Sequence, residues 1–343
     1  MPVLIAPLVL ALLLANAGLC AAQTLLVGNK SAASVSLIDI PSGRAVATAK
    51  TRPGPHEIAV SGDGALAVVT NYGTGDAPGN SLSIIEVERG ETVGTVDLGE
   101  HTRPHGIVFM PGNRKVLVTA EGSGNLLEVD VWAGKVVAAV PTGQRVSHML
   151  AYDPEGRRAY VANIASGSVS LLSMGSRSLL AYRASGQGAE GIALSPDRRW
   201  LWVTNRAEDS LSLFDARYLD KLATLPVPGF PIRAEALPDG RVLVTSARSA
   251  QLTVIDPEGP AVLETVDIAL AGETPTLFGD AFAGSSVPIG IELAPDRRRV
   301  WIAHAAADAV QELEVDSWRE LRVLKTGDEP DAMAYSPRSV KKR

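Results

Sequence analysis

Trp200-Leu201-Trp202-Val203-Thr204-Asn205, followed after a short turn by Ser210-Leu211-Ser212-Leu213-Phe214-Asp215, is the stretch that decides the fold. Both segments alternate apolar with small or polar residues, the pattern of half-buried antiparallel strands. A Pro196-Asp197 turn precedes them, and an apolar run from Ile192 precedes that turn. The same order recurs through the chain, most clearly at residues 58–71 with 81–98 and at 150–163 with 168–172. The turn itself recurs at Gly62-Asp63-Gly64, Pro111-Gly112-Asn113, Pro154-Glu155-Gly156, Pro238-Asp239-Gly240, Pro295-Asp296 and Ser336-Pro337. Pro, Gly, Asp and Asn supply the backbone angles a tight hairpin needs. Pro154 to Pro196 and Pro196 to Pro238 are each 42 residues apart, whereas Pro238 to Pro295 is 57, so one blade carries an insertion. A repeat of about forty residues built from four short strands predicts a β-propeller.

The chain ends explain how the ring closes. The first copy lacks its opening strand and begins at Thr24-Leu25-Leu26-Val27-Gly28-Asn29, while the last has only an opening strand, Asp331-Ala332-Met333-Ala334-Tyr335. The two fragments add up to one blade, which removes an exposed sheet edge. Six full copies and this composite predict an all-β, seven-bladed propeller over residues 23–337. Residues 1–22 carry no charged side chain, run apolar from Val3 to Leu14 and end in Cys20-Ala21-Ala22. They are read as a signal peptide cleaved before Gln23, with an uncleaved membrane anchor as the alternative. The expected location is periplasmic or secreted, with no membrane span in the mature chain. Residues 338–343 read as a solvated basic tail.

Cys20 is the only cysteine, so a chain cleaved after Ala22 has neither a disulfide nor a cysteine nucleophile. A formal net charge of −6 argues against nucleic acid as a partner. The expected partner is a small molecule or a periplasmic protein, and the chain is read as a monomer. The five tryptophans Trp132, Trp200, Trp202, Trp301 and Trp318 are expected to pack between blades.

Aligning the copies places the chemistry on one face. The residue entering the first strand of each blade is His56, His105, His148, Glu190, Arg233, Ile289 and Asp331 in turn. These form an inner ring at one mouth of the channel, expected to face solvent, with Glu57 beside His56. The residues leaving the second strand form an outer ring: Asn29-Lys30, Asn71-Tyr72, Glu121, Asn163, Asn205-Arg206, Arg248 and His304. From the two rings, the candidate ligand-binding set takes His56, Glu57, His105, His148, Glu190, Arg233 and Asp331. It adds Asn71, Tyr72, Glu121, Asn163, Asn205, Arg206, Arg248 and His304. All five histidines map to this face, His101 in an entering loop. The insertions at 73–80 and 271–287, the latter with Phe278, Asp280 and Phe282, fall there too and together could form a partial lid.

Three chemistries suit these residues. His56, His105 and His148 with Glu57, Glu121 or Glu190 could hold a divalent metal and activate its water. His and Glu could act as acid and base without a metal. Arg233, Arg206 and Arg248 could clamp a carboxylate or phosphate. No His-x-His or His-Glu-x-x-His spacing accompanies the histidines, and nothing in the spacing singles out a catalytic acid.

Ala67-Val68-Val69-Thr70-Asn71, Ala159-Tyr160-Val161-Ala162-Asn163 and the Trp200–Asn205 segment resemble the motif of the YVTN-repeat β-propeller family. Within it the chain is similar to the exported, single-domain YncE-like group. Pro55-His56-Glu57-Ile58 and Pro104-His105-Gly106-Ile107 are similar to the Pro-His-Gly-Ile openings of the streptogramin lyases, and lactonase propellers also place His, Glu and Arg in a central funnel. YVTN propellers associated with quinoprotein dehydrogenases, and the haem-binding propeller of bacterial nitrite reductase, imply a third role. The expectation is a ligand- or partner-binding protein rather than an enzyme. The alternatives are a lyase or lactone hydrolase at the same face, and an accessory protein of a periplasmic redox system. No Cys-x-x-Cys-His motif is present, which excludes covalent haem.

Overall fold

The computed structural model describes residues 23–256, 260–271 and 279–341. The N-terminal apolar run, Phe278 and the last two residues therefore lie outside the described residues. Seven four-stranded antiparallel sheets form the blades of a propeller. Six are built in chain order, and the seventh runs Pro330–Ser336, Thr24–Asn29, Ser34–Asp39, Arg44–Lys50. Leu25 faces Tyr335 and Leu26 faces Ala334 across that pairing of the two chain ends. Among the described residues no helix is long and apolar enough to cross a membrane.

Burial follows position within the blade. The second and third strands are buried almost throughout, as in Thr24–Asn29 and Ser210–Asp215, because both of their faces meet neighbouring blades. Outermost strands such as Arg44–Lys50 are mostly exposed. The core is a set of layers between blades: Leu171, Val169 and Tyr160 of one blade pack on Ile192, Leu201 and Phe214 of the next. Trp202 and Trp301 are fully buried in such layers and Trp318 nearly so. Trp132 departs from the expectation: it is 69% exposed, with its indole N–H donating to the carbonyl of Asn113. The tail is not free in solvent as far as Lys341, whose backbone N–H donates to the carbonyl of Glu88, while Arg338 and Lys341 pair with the Glu88 carboxylate.

The recurring Asn and Ser-x-Ser have a structural use. Asn205 donates to Ser210 at 3.0 Å and Ser212 at 2.9 Å on the next strand, and accepts from Ser185 at 2.7 Å. Asn29 and Asn163 make the equivalent donations, while Asn71 donates to Ser81 and accepts from Ser83. These ladders satisfy amides that the blades bury, which is the condition for keeping them inside.

One irregularity positions the site. In every blade the pairing of the first strand with the second shifts register just inside the channel mouth, between Pro55 and Ile58, Pro104 and Ile107, Ser147 and Leu150, Ala189 and Ile192, and at the matching points of the other three. A bulge of this kind turns side chains out of the period-2 alternation. Threonines of the second strand stitch three bulges: Thr70, Thr119 and Thr204 each accept from the backbone N–H of Glu57, Gly106 and Gly191, all at 2.8 Å. Glycine is required at the tightest bulge, since a Cβ on Gly290 would lie 2.0 Å from the carbonyl of Asp331 on the adjacent inner strand. The residue before each first strand has positive φ, including 57° at Val146 and 52° at Val287. A β-branched residue there stores on the order of 1–3 kcal/mol of strain.

Candidate functional site

The bulges aim His56, His105, His148, Glu190, Arg233 and Asp331 at one end of the channel. Glu57, Tyr72, Glu121, Lys30 and Arg206 reach the same place from the bulge and the outer loops. Most of them line a cavity of about 290 Å³, to which Val146, Ile164, Ile232 and Ile289 also contribute. From the sequence an exposed ring is expected. The structure corrects this: His105 is fully buried, and His56, His148, Glu190, Arg233 and Asp331 each keep less than a tenth of their surface. Seven inner strands converge closely enough at this level that the side chains fill the channel.

Three imidazoles stack across it. Ring centroids are 4.0 Å apart for His56 and His105 and 3.4 Å for His105 and His148. Their partners differ. His56 Nδ1 lies 3.0 Å from Asp331 and its Nε2 lies 2.9 Å from Lys30 Nζ. A carboxylate only accepts and an ammonium only donates, so Nδ1 carries the proton and the ring is neutral. Burial first, then the Lys30 charge, lowers the His56 pKa to about 4, against the opposing pull of Asp331. His148 lies between two acids, with Nδ1 2.5 Å from Glu121 and Nε2 3.3 Å from Glu190. Burial opposes its protonation, but Glu190 and Glu121 outweigh burial and raise its pKa. Among the described residues His105 has no polar partner on either nitrogen, and burial, then the neighbouring imidazoles, holds it well below the usual range.

The charged groups form one network. Arg233 pairs with Glu57, lies 3.5 Å from Asp331 and 3.9 Å from Glu190. Arg206 pairs with Glu190, and the Tyr72 hydroxyl donates to Glu121 at 2.6 Å. Glu57, Glu121, Glu190 and Asp331 thus face Lys30, Arg206, Arg233 and His148, whose protonation the two flanking acids favour. Burial pushes Glu57 up and Arg233 pulls it back, leaving it raised. Glu121, Glu190 and Asp331 are lowered, because their cationic partners overcome burial. Lys30 and Arg206 keep 18% and 25% of their side-chain surface and line the cavity.

Other candidates lie apart. Asn71, Asn163 and Asn205 point into the blades and spend their amides on the serine ladders. Arg248 pairs with Asp209 at 2.8 Å on the surface. His304 is buried within its blade, where Nδ1 meets Ser286 at 2.9 Å and burial lowers its pKa to about 4. His101 meets Ser123 on the outside. The 73–80 insertion extends a hairpin, Gly73 pairing with Pro78, and Arg103 braces it through the Thr74 and Gly75 carbonyls. In the second insertion Gly279–Phe282 forms a 3₁₀ turn whose Phe282 stacks edge-on against Phe230 at 5.0 Å, next to Arg206. Lys30 belongs to the outer ring by alignment but not to the candidate ligand-binding set. The signal available was its place directly after Asn29, equivalent to Tyr72 and Arg206 in their blades.

Deeper in the channel, on the same strand as Arg233, sits Glu235, with Glu292 near it. Burial raises Glu235 to about 7, and burial with the Glu235 charge raises Glu292 to about 8. Between the unfolded carboxyl pKa of about 4.3 and these values the native state binds more protons than the unfolded chain, so this pair makes stability fall as pH rises. Guanidinium unfolding at pH 5 and at pH 8.5 should show that fall reduced in the Glu235→Gln, Glu292→Gln double variant. Equal changes in variant and wild type would rule the pair out as its source.

The family model described as "Lactonase, 7-bladed beta-propeller" matches residues 23–255. No curated protein matches the chain. Among solved structures, the chain is similar to hydrazine synthase of Kuenenia stuttgartiensis, with TM-score 0.71 and 17% identity over 85% of this chain and 92% of that one. It is similar to a protein of unknown function from Desulfotomaculum acetoxidans, with TM-score 0.74 and 12% identity over 91% and 98% of the two chains. It is also similar to the periplasmic gluconolactonase of Pseudomonas aeruginosa, with TM-score 0.69 and 15% identity over 92% and 99%. At these identities the three structures speak for the fold alone.

Proposed function

The chain belongs to the lactonase family of seven-bladed β-propellers, and from that premise we propose that it hydrolyses a small polar lactone in the histidine-lined cavity. The observation that carries the reading is the contact of His148 with Glu121 at 2.5 Å, in a cavity that also presents Lys30 and Arg206. Lactone hydrolysis needs a base for water, an acid for the departing ring oxygen, and positive charge where the carbonyl oxygen becomes an oxyanion. Glu121 takes a proton from water as its oxygen bonds to the carbonyl carbon. The ring C–O bond breaks, and the imidazolium of His148 protonates the alkoxide. The proton on Glu121 then crosses the short contact to His148, which restores both groups. Lys30 and Arg206 face the oxyanion. A cavity of about 290 Å³ with an ionic lining suits a compact hydroxylated lactone better than a long acyl chain.

The test is a panel of aldonolactones and simple γ- and δ-lactones, followed by proton release at constant pH. Saturable turnover of the hydroxylated lactones, at least a hundredfold above the buffer rate, is expected. A panel with no acceleration, together with saturable binding of a lactone or hydroxy acid, would return the site to a binding protein.

A further inference from the structure

Among the described residues, every ionisable group around the cavity has a polar or charged partner except one. His105 is fully buried, and neither ring nitrogen meets a donor or acceptor, although it sits between two imidazoles that are both paired. Leaving such a group unsatisfied costs on the order of 1–3 kcal/mol. One nitrogen of His105, one of His148 and a carboxylate oxygen of Glu121 lie within 4.8 Å of one another. Ligand atoms on a tetrahedral ion at 2.0–2.1 Å are roughly 3.4 Å apart, so small side-chain movements would bring the three onto one centre.

We propose that His105, His148 and Glu121 hold a single divalent first-row metal ion of the zinc class, with its open position toward the cavity.

The surrounding groups already have the arrangement that orients metal ligands. His148 Nε2 faces the Glu190 carboxylate at 3.3 Å, and Arg206 holds Glu190, so Nδ1 is the nitrogen turned to the ion. The second oxygen of Glu121 accepts from Tyr72 at 2.6 Å, leaving the first for the metal. A ligating imidazole backed by a carboxylate is the usual support for such ions. His56, Glu57 and His105 form a competing group with equally close atoms. The charges decide against it. Lys30 Nζ stands 2.9 Å from His56 Nε2, Asp331 occupies Nδ1, and Arg233 holds Glu57. A cation there would face an ammonium and a guanidinium. Two imidazoles and one carboxylate favour zinc-class ions over calcium or magnesium, which prefer all-oxygen sets. The catalytic consequence, though not the site, rests on the lactone reading: a bound ion would supply an activated water in place of the Glu121–His148 relay, with Lys30 and Arg206 keeping their place.

Full-length protein stripped with chelator and titrated with Zn²⁺ in a calorimeter should bind one ion per chain, and Ca²⁺ or Mg²⁺ should not compete. Glu121→Gln, which preserves side-chain shape, should weaken binding by at least tenfold, and His105→Ala should abolish it. His56→Ala should leave it within about twofold, which separates the two groups of ligands. Melting curves of each variant without metal establish folding, and Glu121→Gln decides the outcome if His105→Ala does not fold. No saturable Zn²⁺ binding by the wild type, or equal affinity in Glu121→Gln, overturns the site. Zinc binding without lactone turnover would retain the site and remove the hydrolytic reading, and turnover by metal-free protein that binds no zinc would do the reverse.

Discussion

A chain ending before Pro330 is expected to lose its cooperative unfolding transition altogether. The strand Pro330–Ser336 is the innermost member of the blade that starts at Thr24, and its removal leaves Thr24–Asn29 as an open edge. Ala332 and Ala334 leave the layer that holds Leu26 and Ile58, and Met333 leaves the layer that holds Leu25 and Trp301. Asp331 goes with them, stripping His56 and Arg233 of a buried partner. Each is a loss of about 1–3 kcal/mol by ordinary measures of burial and unpaired charge, against a total stability of about 5–15 kcal/mol. Opening the ring also exposes strand edges prone to association. Near-ultraviolet circular dichroism through a thermal ramp would show a sloping baseline in place of a transition. A truncated chain that melts like the full one would mean that six blades and a remnant are stable without closure.

Arg233→Ala is expected to destabilise the protein by about 3–5 kcal/mol, the cost of removing one partner from a buried ionic group. Glu57 loses its direct partner, and Asp331 and Glu190 lose a neighbouring charge. The repulsion left behind is relieved when a carboxylate takes up a proton, so the loss should be smaller at pH 5 than at pH 8. Arg233→Lys should recover only part of it, because an ammonium cannot span three carboxylates. Chemical denaturation at the two pH values provides the comparison. A loss below about 1 kcal/mol would mean that solvent screens the network and that it behaves as a surface cluster.

Much of the fold was legible because a propeller writes itself repeatedly. Pro154, Pro196 and Pro238 recur at one spacing, and the period-2 alternation between them fixes which strand faces are apolar. Counting from those turns aligned His56, His105, His148, Glu190, Arg233 and Asp331, and the structure brings the six together. Their burial was not legible, since it depends on how closely seven strands converge and on the bulge in each, and neither leaves a mark in alternation. The asparagines were misread for a related reason. Asn205 stands at a strand end like a loop residue, yet Ser210 and Ser212 opposite it were the sign that its amide turns inward. Charge partners such as Lys30 for His56 and Tyr72 for Glu121 cross between blades 26 and 49 positions apart in sequence, and no local pattern announces them.

In the proposed reaction the Glu121–His148 contact activates water in the cavity. Glu121→Gln tests it most directly, because the amide keeps the side chain's shape and can still accept from Tyr72 while losing the base. Turnover of the best lactone in the panel should fall by about 10²–10⁴ in kcat, with the melting temperature changed by only a few degrees. Wild-type kcat in a folded Glu121→Gln protein would mean that Glu121 is not the base.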